Sequence, residues 1–162
     1  MTRDDRLGLL DRFEGAYSLV SSQVERLSAE ALAFIPAIPE AWSVNDHLVH
    51  LLDAEVAVYF RIRLAQAEPG SRIQPWDELA WQARLGYASL DGRKCLAQAM
   101  ALRSTVAAGL RHRVDEDWSA FWLEHPEKGR MDLVRILEIY RDHLAFHAPF
   151  IKRNLDAWKA KG

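Results

Sequence analysis

The chain has 162 residues, 49% of them hydrophobic, and a formal net charge of −2; this fits one domain over residues 1–162 with a sizeable core and rules out a disordered chain. So small a charge leaves no basic field to draw nucleic acid at long range, and no apolar run reaches the length of a membrane span. Cys95 is the only cysteine, which excludes an internal disulfide and a thiolate zinc site; together with an N-terminus, Met1-Thr-Arg-Asp-Asp-Arg6, too charged for a signal peptide, it points to a reducing cytoplasm.

Four long helical segments are predicted. The first, about residues 4–27, spaces Leu9, Leu10, Phe13, Tyr17, Val20, Val24 and Leu27 mostly by threes and fours. A short helical turn over Ser28–Phe34 follows, and Pro36 and Pro39 then stop regular structure. The second segment opens at Ser43, an N-cap with Asp46 three residues on, and runs to about Ala67, where Glu68-Pro-Gly-Ser71 ends it. Its apolar face carries Val44, Leu48, Leu51, Leu52, Val58, Tyr59 and Ile62, with Glu55 in the middle. A carboxylate there needs a cation, hydrogen bonds or a metal; an ion pair inside the bundle, with an arginine such as Arg103, is the plainer expectation.

The connection from Gly70 to Asp91 is rich in aromatic residues and is predicted to hold a short extra helix from about Asp77 to Leu85. Trp76, Trp81 and Tyr87 either wall a pocket or cap the end of the bundle. The third long segment, Gly92 to Arg113, ends in Arg111-His112-Arg113, cations that suit a helix C-terminus, so His112 reads as a surface residue. Residues 115–131 read as a loop containing His125-Pro126-Glu127. Asp132 is the N-cap of a last helix to about Lys159, in which Pro149 should produce a kink.

That last helix holds His143-Leu-Ala-Phe-His147. Positions i and i+4 lie one turn apart on one face, the simplest helical half-site for a transition metal. A third ligand is needed, and the second helix offers His47 and His50. On the helical wheel His47 lies about 75° from the centre of the apolar stripe and His50 about 135°. The pattern favours His47 as a core-edge residue, while Ala54 and Ala57 beside His50 leave room for a neighbouring helix or ligand.

Trp42-Ser43 followed by His50-Leu51, the Asp53-Ala54-Glu55 after it, and His143-x-x-x-His147 with Ile151 resemble the DinB-like (YfiT-like) superfamily of metalloenzymes; the His125-Pro126-Glu127 loop and Trp81…Gly86-Tyr87 resemble one branch of it. The resemblance covers about Trp42 to Leu155. It implies an all-α four-helix bundle, often a homodimer, with a divalent metal held by His50, His143 and His147. Two features depart from the pattern: Asp46, where many members carry Glu, and Ala148-Pro149-Phe150 after His147.

Three neutral imidazoles leave coordination positions open for water or substrate, and zinc, nickel or iron all accept such ligands. Leu144 follows His143, so the glutamate base of H-E-x-x-H metalloproteases is missing. Asp53, one turn from His50, and Asp142, just before His143, could orient an imidazole, with solvation at the surface as the plainer expectation. Glu55 could also join the site. The better understood relatives are thiol-dependent S-transferases and a thiol-dependent isomerase. The resemblance therefore implies S-transferase-like chemistry on a small molecule, with a low-molecular-weight thiol as partner; the alternative is a helical bundle that binds metal or ligand without turnover.

Overall fold

The computed structural model describes residues 1–161. The first predicted helix is two: α1 (Arg3–Gly15) and α2 (Ser18–Val24). Between them the backbone stays helical but Leu19 and Val20 bond to carbonyls three residues back. Gly15, a weak helix former, stands at the break, and the Ser18 hydroxyl takes the Gly15 carbonyl at 2.8 Å, the kind of local bond that competes with the helical ladder. α3 (Ala29–Ala33), α4 (Val44–Ala67), α5 (Glu78–Arg84), α6 (Gly92–Arg111) and α7 (Leu133–Lys159) fall close to their predicted places. α4 starts on a complete capping box, Asp46 N–H donating to Ser43 Oγ and Ser43 N–H to the Asp46 carboxylate, each at 3.0 Å. Asp132 caps α7 through the Arg135 N–H. The assigned helix runs through Pro149 without a break.

The predicted 115–131 loop holds a hairpin instead: β1 (Trp122–His125) pairs antiparallel with β2 (Gly129–Asp132), Leu123 facing Met131. Each strand has four residues, too few for alternation to stand out in the sequence, and the hairpin forms because Leu123 and Met131 bury one side against the bundle end. Gly129, at φ +66°, supplies the left-handed residue that closes the turn.

Four long layers make the bundle: α1–α2, α4, α6 and α7. Their directions follow from the pairs that join them. Asn45 accepts the Gly92 N–H and Glu55 meets Arg103, so α4 and α6 run parallel. Trp42 meets Asn154 and Arg61 meets Tyr140, so α4 and α7 run antiparallel. Arg6 reaches Val114 and Arg103 reaches Phe13, so α1 opposes α6. The order is down, up, up, down. Parallel neighbours cannot be joined by a tight turn, and this is why the connection carrying α5 is long. α4 and α6 touch so closely at Gly92 that a Cβ there would stand 2.6 Å from Asn45 Oδ1. Among the described residues no helix is long and apolar enough to cross a membrane.

The core has two apolar clusters. One, at the hairpin end, includes Leu10, Val58, Ile62 and Leu137; the other includes Val20, Leu48, Leu144 and Ile151. Glu55 and Arg103 lie at their junction, both 1% exposed. Arg103 donates through Nε to both Glu55 oxygens at 3.1 Å and through one terminal nitrogen to Oε2 at 2.7 Å. Its remaining N–H groups reach the Phe13 and Tyr140 carbonyls, each at 3.1 Å, and its cation lies over the Phe13 and Tyr17 rings. Tyr17 donates its hydroxyl to Glu55 at 3.1 Å.

Removing one member of such a pair leaves a charge buried without a partner, at a cost of about 3–5 kcal/mol. Arg103→Met should lower stability by that order in denaturant titrations, and Glu55→Gln should also destabilise while leaving metal content unchanged. The double variant Glu55→Leu/Arg103→Met should recover most of the loss. Single variants that unfold like the parent protein would show that the pair is not what ties the helices together.

Candidate metal centre

Antiparallel packing sets His47 and His50 of α4 against His147 and His143 of α7. His143 Nε2 lies 3.2 Å from His50 Nε2 and 3.0 Å from His147 Nε2. One nitrogen from each of the three lies within 4.8 Å of the other two. Nitrogens that each sit ~2.0–2.1 Å from one tetrahedral ion are ~3.3 Å apart, so the spacing fits a shared metal. Without an ion, a tautomer that carries its proton on one of these nitrogens joins neighbouring rings by an N–H···N hydrogen bond; with the protons on the far nitrogens, three lone pairs face one point and can share a divalent cation. The residues present therefore fit a divalent ion.

The setting is dry. His50 is fully buried, His47 and His147 nearly so, and His143 half-buried. The Trp42 ring lies 5.4 Å from His47 and 5.3 Å from His50, the Trp76 ring 5.4 Å from His50, and Phe150 stacks on His47. Burial, which penalises the charged imidazolium, lowers His47 and His143 to about 4, His50 to about 3 and His147 to about 2. Crowding of imidazole on imidazole adds to the effect at His50 and His147. All four rings are neutral at physiological pH, the form a metal requires.

His47 holds a place that the wheel placed only at the core edge. Its Nδ1 is 3.1 Å from His147 Nδ1. A His147 that ligates through Nε2 carries its proton on Nδ1 and donates it to His47, fixing the ring's tautomer and orientation. His47 is then protonated on Nε2, a buried atom with no partner, as is His50 Nδ1.

Every carboxylate near the rings is engaged elsewhere. Asp46 caps α4, Asp53 accepts a hydrogen bond from the Tyr87 hydroxyl, Glu55 holds Arg103, and Asp142 pairs with Arg141. None of the three carboxylates considered from the sequence, Asp53, Glu55 and Asp142, bonds an imidazole among the described residues. His112 is exposed. His125 serves the hairpin, its Nδ1 accepting the Glu127 and Lys128 N–H groups. Cys95 is buried beside Val49 and Tyr87, and burial pushes its thiol up. The aromatic wall of Trp42 and Trp76 had no signal in the helical pattern, since both lie outside the long helices.

Comparison with known proteins returns the same architecture. The model of the DinB superfamily matches residues 12–151. Two relatives, from Oceanobacillus iheyensis and Bacillus subtilis strain 168, each named "Putative metal-dependent hydrolase", are 29% and 27% identical over 110 residues. These alignments cover 68% of this chain but 63% and 62% of the relatives, so the chain spans less than two thirds of their length. The solved structure of YfiT from Bacillus subtilis, described as a probable metal-dependent hydrolase with an unusual four-helix bundle topology, superposes with a TM-score of 0.83 at 24% identity, covering 95% of this chain and 87% of that one.

His50→Ala, His143→Ala and His147→Ala should each abolish stoichiometric binding of Zn²⁺ or Ni²⁺ to untagged protein, and His112→Ala and His125→Ala should not. His47→Phe should retain the site but weaken affinity about 10–100-fold, as loss of an orienting partner does. Full occupancy in His50→Ala with loss in His47→Phe would reverse the assignment.

Acid supplies a second measurement. The unfolded chain protonates its histidines below pH ~6.5, whereas the folded protein holds them neutral to about 4 and lower. Stability is therefore full above pH ~6.5 and is lost as pH falls toward the folded values. Melting of metal-free protein should drop steeply between pH ~6.5 and ~4.5; a flat profile would mean the rings are solvated.

Proposed function

This chain belongs to the DinB superfamily, and on that premise we propose that it is a metal-dependent enzyme whose nucleophile is a low-molecular-weight thiol, transferred to a small electrophilic substrate. The observation that carries the reading is the convergence of three neutral imidazoles, with the neighbouring carboxylates engaged elsewhere. Neutral ligands leave the full charge of a divalent ion uncancelled. When bound by His50, His143 and His147, such an ion supplies Lewis acidity that favours loss of a proton from a thiol or water near neutral pH.

The surrounding residues favour the thiol. Hydrolysis asks for a base to take a proton from water, and among the described residues Asp46, Asp53, Glu55 and Asp142 all have other partners. A thiol, with a solution pKa of about 8.5, gives up its proton with far less help than water. In the transfer the thiolate sulfur forms a bond to an electrophilic carbon, the leaving group departs with its electron pair, and the thiol proton goes to solvent. His47 orients His147, Trp42 and Trp76 cover His47 and His50, and the half-buried His143 side gives the proton its path to solvent. The hydrolase names of the relatives favour the second reading, attack by water at the same centre.

The test uses untagged protein loaded with Zn²⁺ or Ni²⁺. Cysteine or glutathione is offered with an activated aryl halide, and p-nitrophenyl acetate is offered alone. Thiol conjugation lost on chelation and in His143→Ala is the expected result. Metal-dependent ester hydrolysis without thiol consumption would replace the thiol reading by the hydrolytic one. Equal rates with and without metal would overturn both.

A further inference from the structure

A cavity of about 550 Å³ lies beside the metal centre, within the range of small-molecule sites. One wall is a face of α4 carrying Asp53, Val56, Ala57, Phe60, Arg61 and Leu64, spaced by threes and fours. The other comes from the long connection and includes Ile73, Trp76 and Trp81. None of the histidines lines it. Trp76 is the shared wall: its ring packs at 4.6 Å on Trp81 inside the cavity and at 5.4 Å on His50 in the metal centre.

The lining has a definite chemistry. Val56 is 51% exposed and Phe60 62%, so the α4 wall presents apolar surface left open by the described residues. The tryptophans add flat aromatic faces. Two cations, Arg61 and Arg72, join the lining. Arg61 is fixed by donating to the Tyr140 hydroxyl at 2.5 Å and to the Gln74 carbonyl at 3.2 Å. Arg72 is exposed. Among the described residues neither guanidinium forms an ion pair, while the lone acid of the lining, Asp53, is occupied by Tyr87. Along α4 the eight steps from Asp53 to Arg61 span ~12 Å, the length of a two-ring molecule with one charged substituent.

We propose that this cavity binds an apolar, aromatic-bodied small molecule bearing one anionic group, its rings on Val56, Phe60, Trp76 and Trp81 and its anion at Arg61 and Arg72, as the substrate compartment of the metal centre. As substrate compartment it rests on the metal-dependent reading above; as a binding site it is built from residues that touch no metal ligand except through Trp76. The bound molecule extends toward Trp76, and so its uncharged end is the one presented to His50.

The probe is 1-anilinonaphthalene-8-sulfonate, with N-phenyl-1-naphthylamine as its uncharged counterpart, titrated by fluorescence into the full untagged chain. Both should bind one site. Val56→Trp, which fills the cavity from a half-exposed position, and Trp81→Ala, which removes a wall, should each weaken both probes. Arg72→Gln should weaken the anionic probe by about tenfold and leave the neutral one unchanged. Unchanged isotherms in Val56→Trp and Trp81→Ala, or equal loss of both probes in Arg72→Gln, would overturn the proposal. Binding should persist in chelator and in His143→Ala; its loss there would place the probe on the metal centre and overturn the cavity assignment. Absence of metal binding with the probe site intact would count against the metal reading alone.

Discussion

The Glu55–Arg103 pair is the interaction on which the rest of the bundle depends. A single guanidinium touches a carboxylate of α4, carbonyls of α1 and α7, and the rings of Phe13 and Tyr17. Apolar packing between helices tolerates sliding, because one methyl group is much like the next. A guanidinium with its N–H groups assigned to fixed oxygens does not. Set between the two apolar clusters, the pair fixes how far α4, α6 and α7 are displaced along one another. The distance from Glu55 back to His50 on α4, and from Tyr140 forward to His143 on α7, is then less than two turns of helix. The histidines meet because the register has already been set.

The metal centre shows the opposite economy. Burial of four imidazoles leaves His47 Nε2 and His50 Nδ1 without partners, and an unmade hydrogen bond of this kind costs about 1–3 kcal/mol. An apolar packing of the same four positions would be more stable. The bundle carries this local deficit next to its most specific polar contact. A site that keeps its ligands neutral and dry is destabilised without its ion and gains correspondingly when the ion is held.

Much of this was legible in the sequence. Apolar spacing located the long helices, Ser43 and Asp132 marked helix starts, and the odd carboxylate at Glu55 announced a buried partner. The i,i+4 pair His143/His147 stood out at once. His50 did not: its place on the wheel faces away from the main stripe, and only the short Trp42-Ser43…His50-Leu51 resemblance chose it. The structure shows why periodicity was undecided. α4 is buried by neighbours on several sides, so both His47 and His50 lie inside, one against the back of His147 and the other against His143. The hairpin escaped because four-residue strands have no period to read, and the break at Gly15–Tyr17 because helical spacing carries straight across it. Trp76 belongs to a connection without regular structure, and only tertiary packing could bring it to His50.

One consequence follows from where the ligands lie along the chain. His50 and His143 are 93 residues apart, so an ion held between them clasps more than half of the polypeptide into a single closed ring. Its effect on the fold is that of a reversible cross-link. Contacts this distant in sequence form late, because a loop of some 93 residues must close before His50 meets His143. In the folded protein such a clasp would work the other way: α4 and α7 could not separate while an ion stayed bound. Were an ion held there, its release would be the step that opens the bundle, and the lifetime of the folded state would be tied to that of the metal–nitrogen bonds.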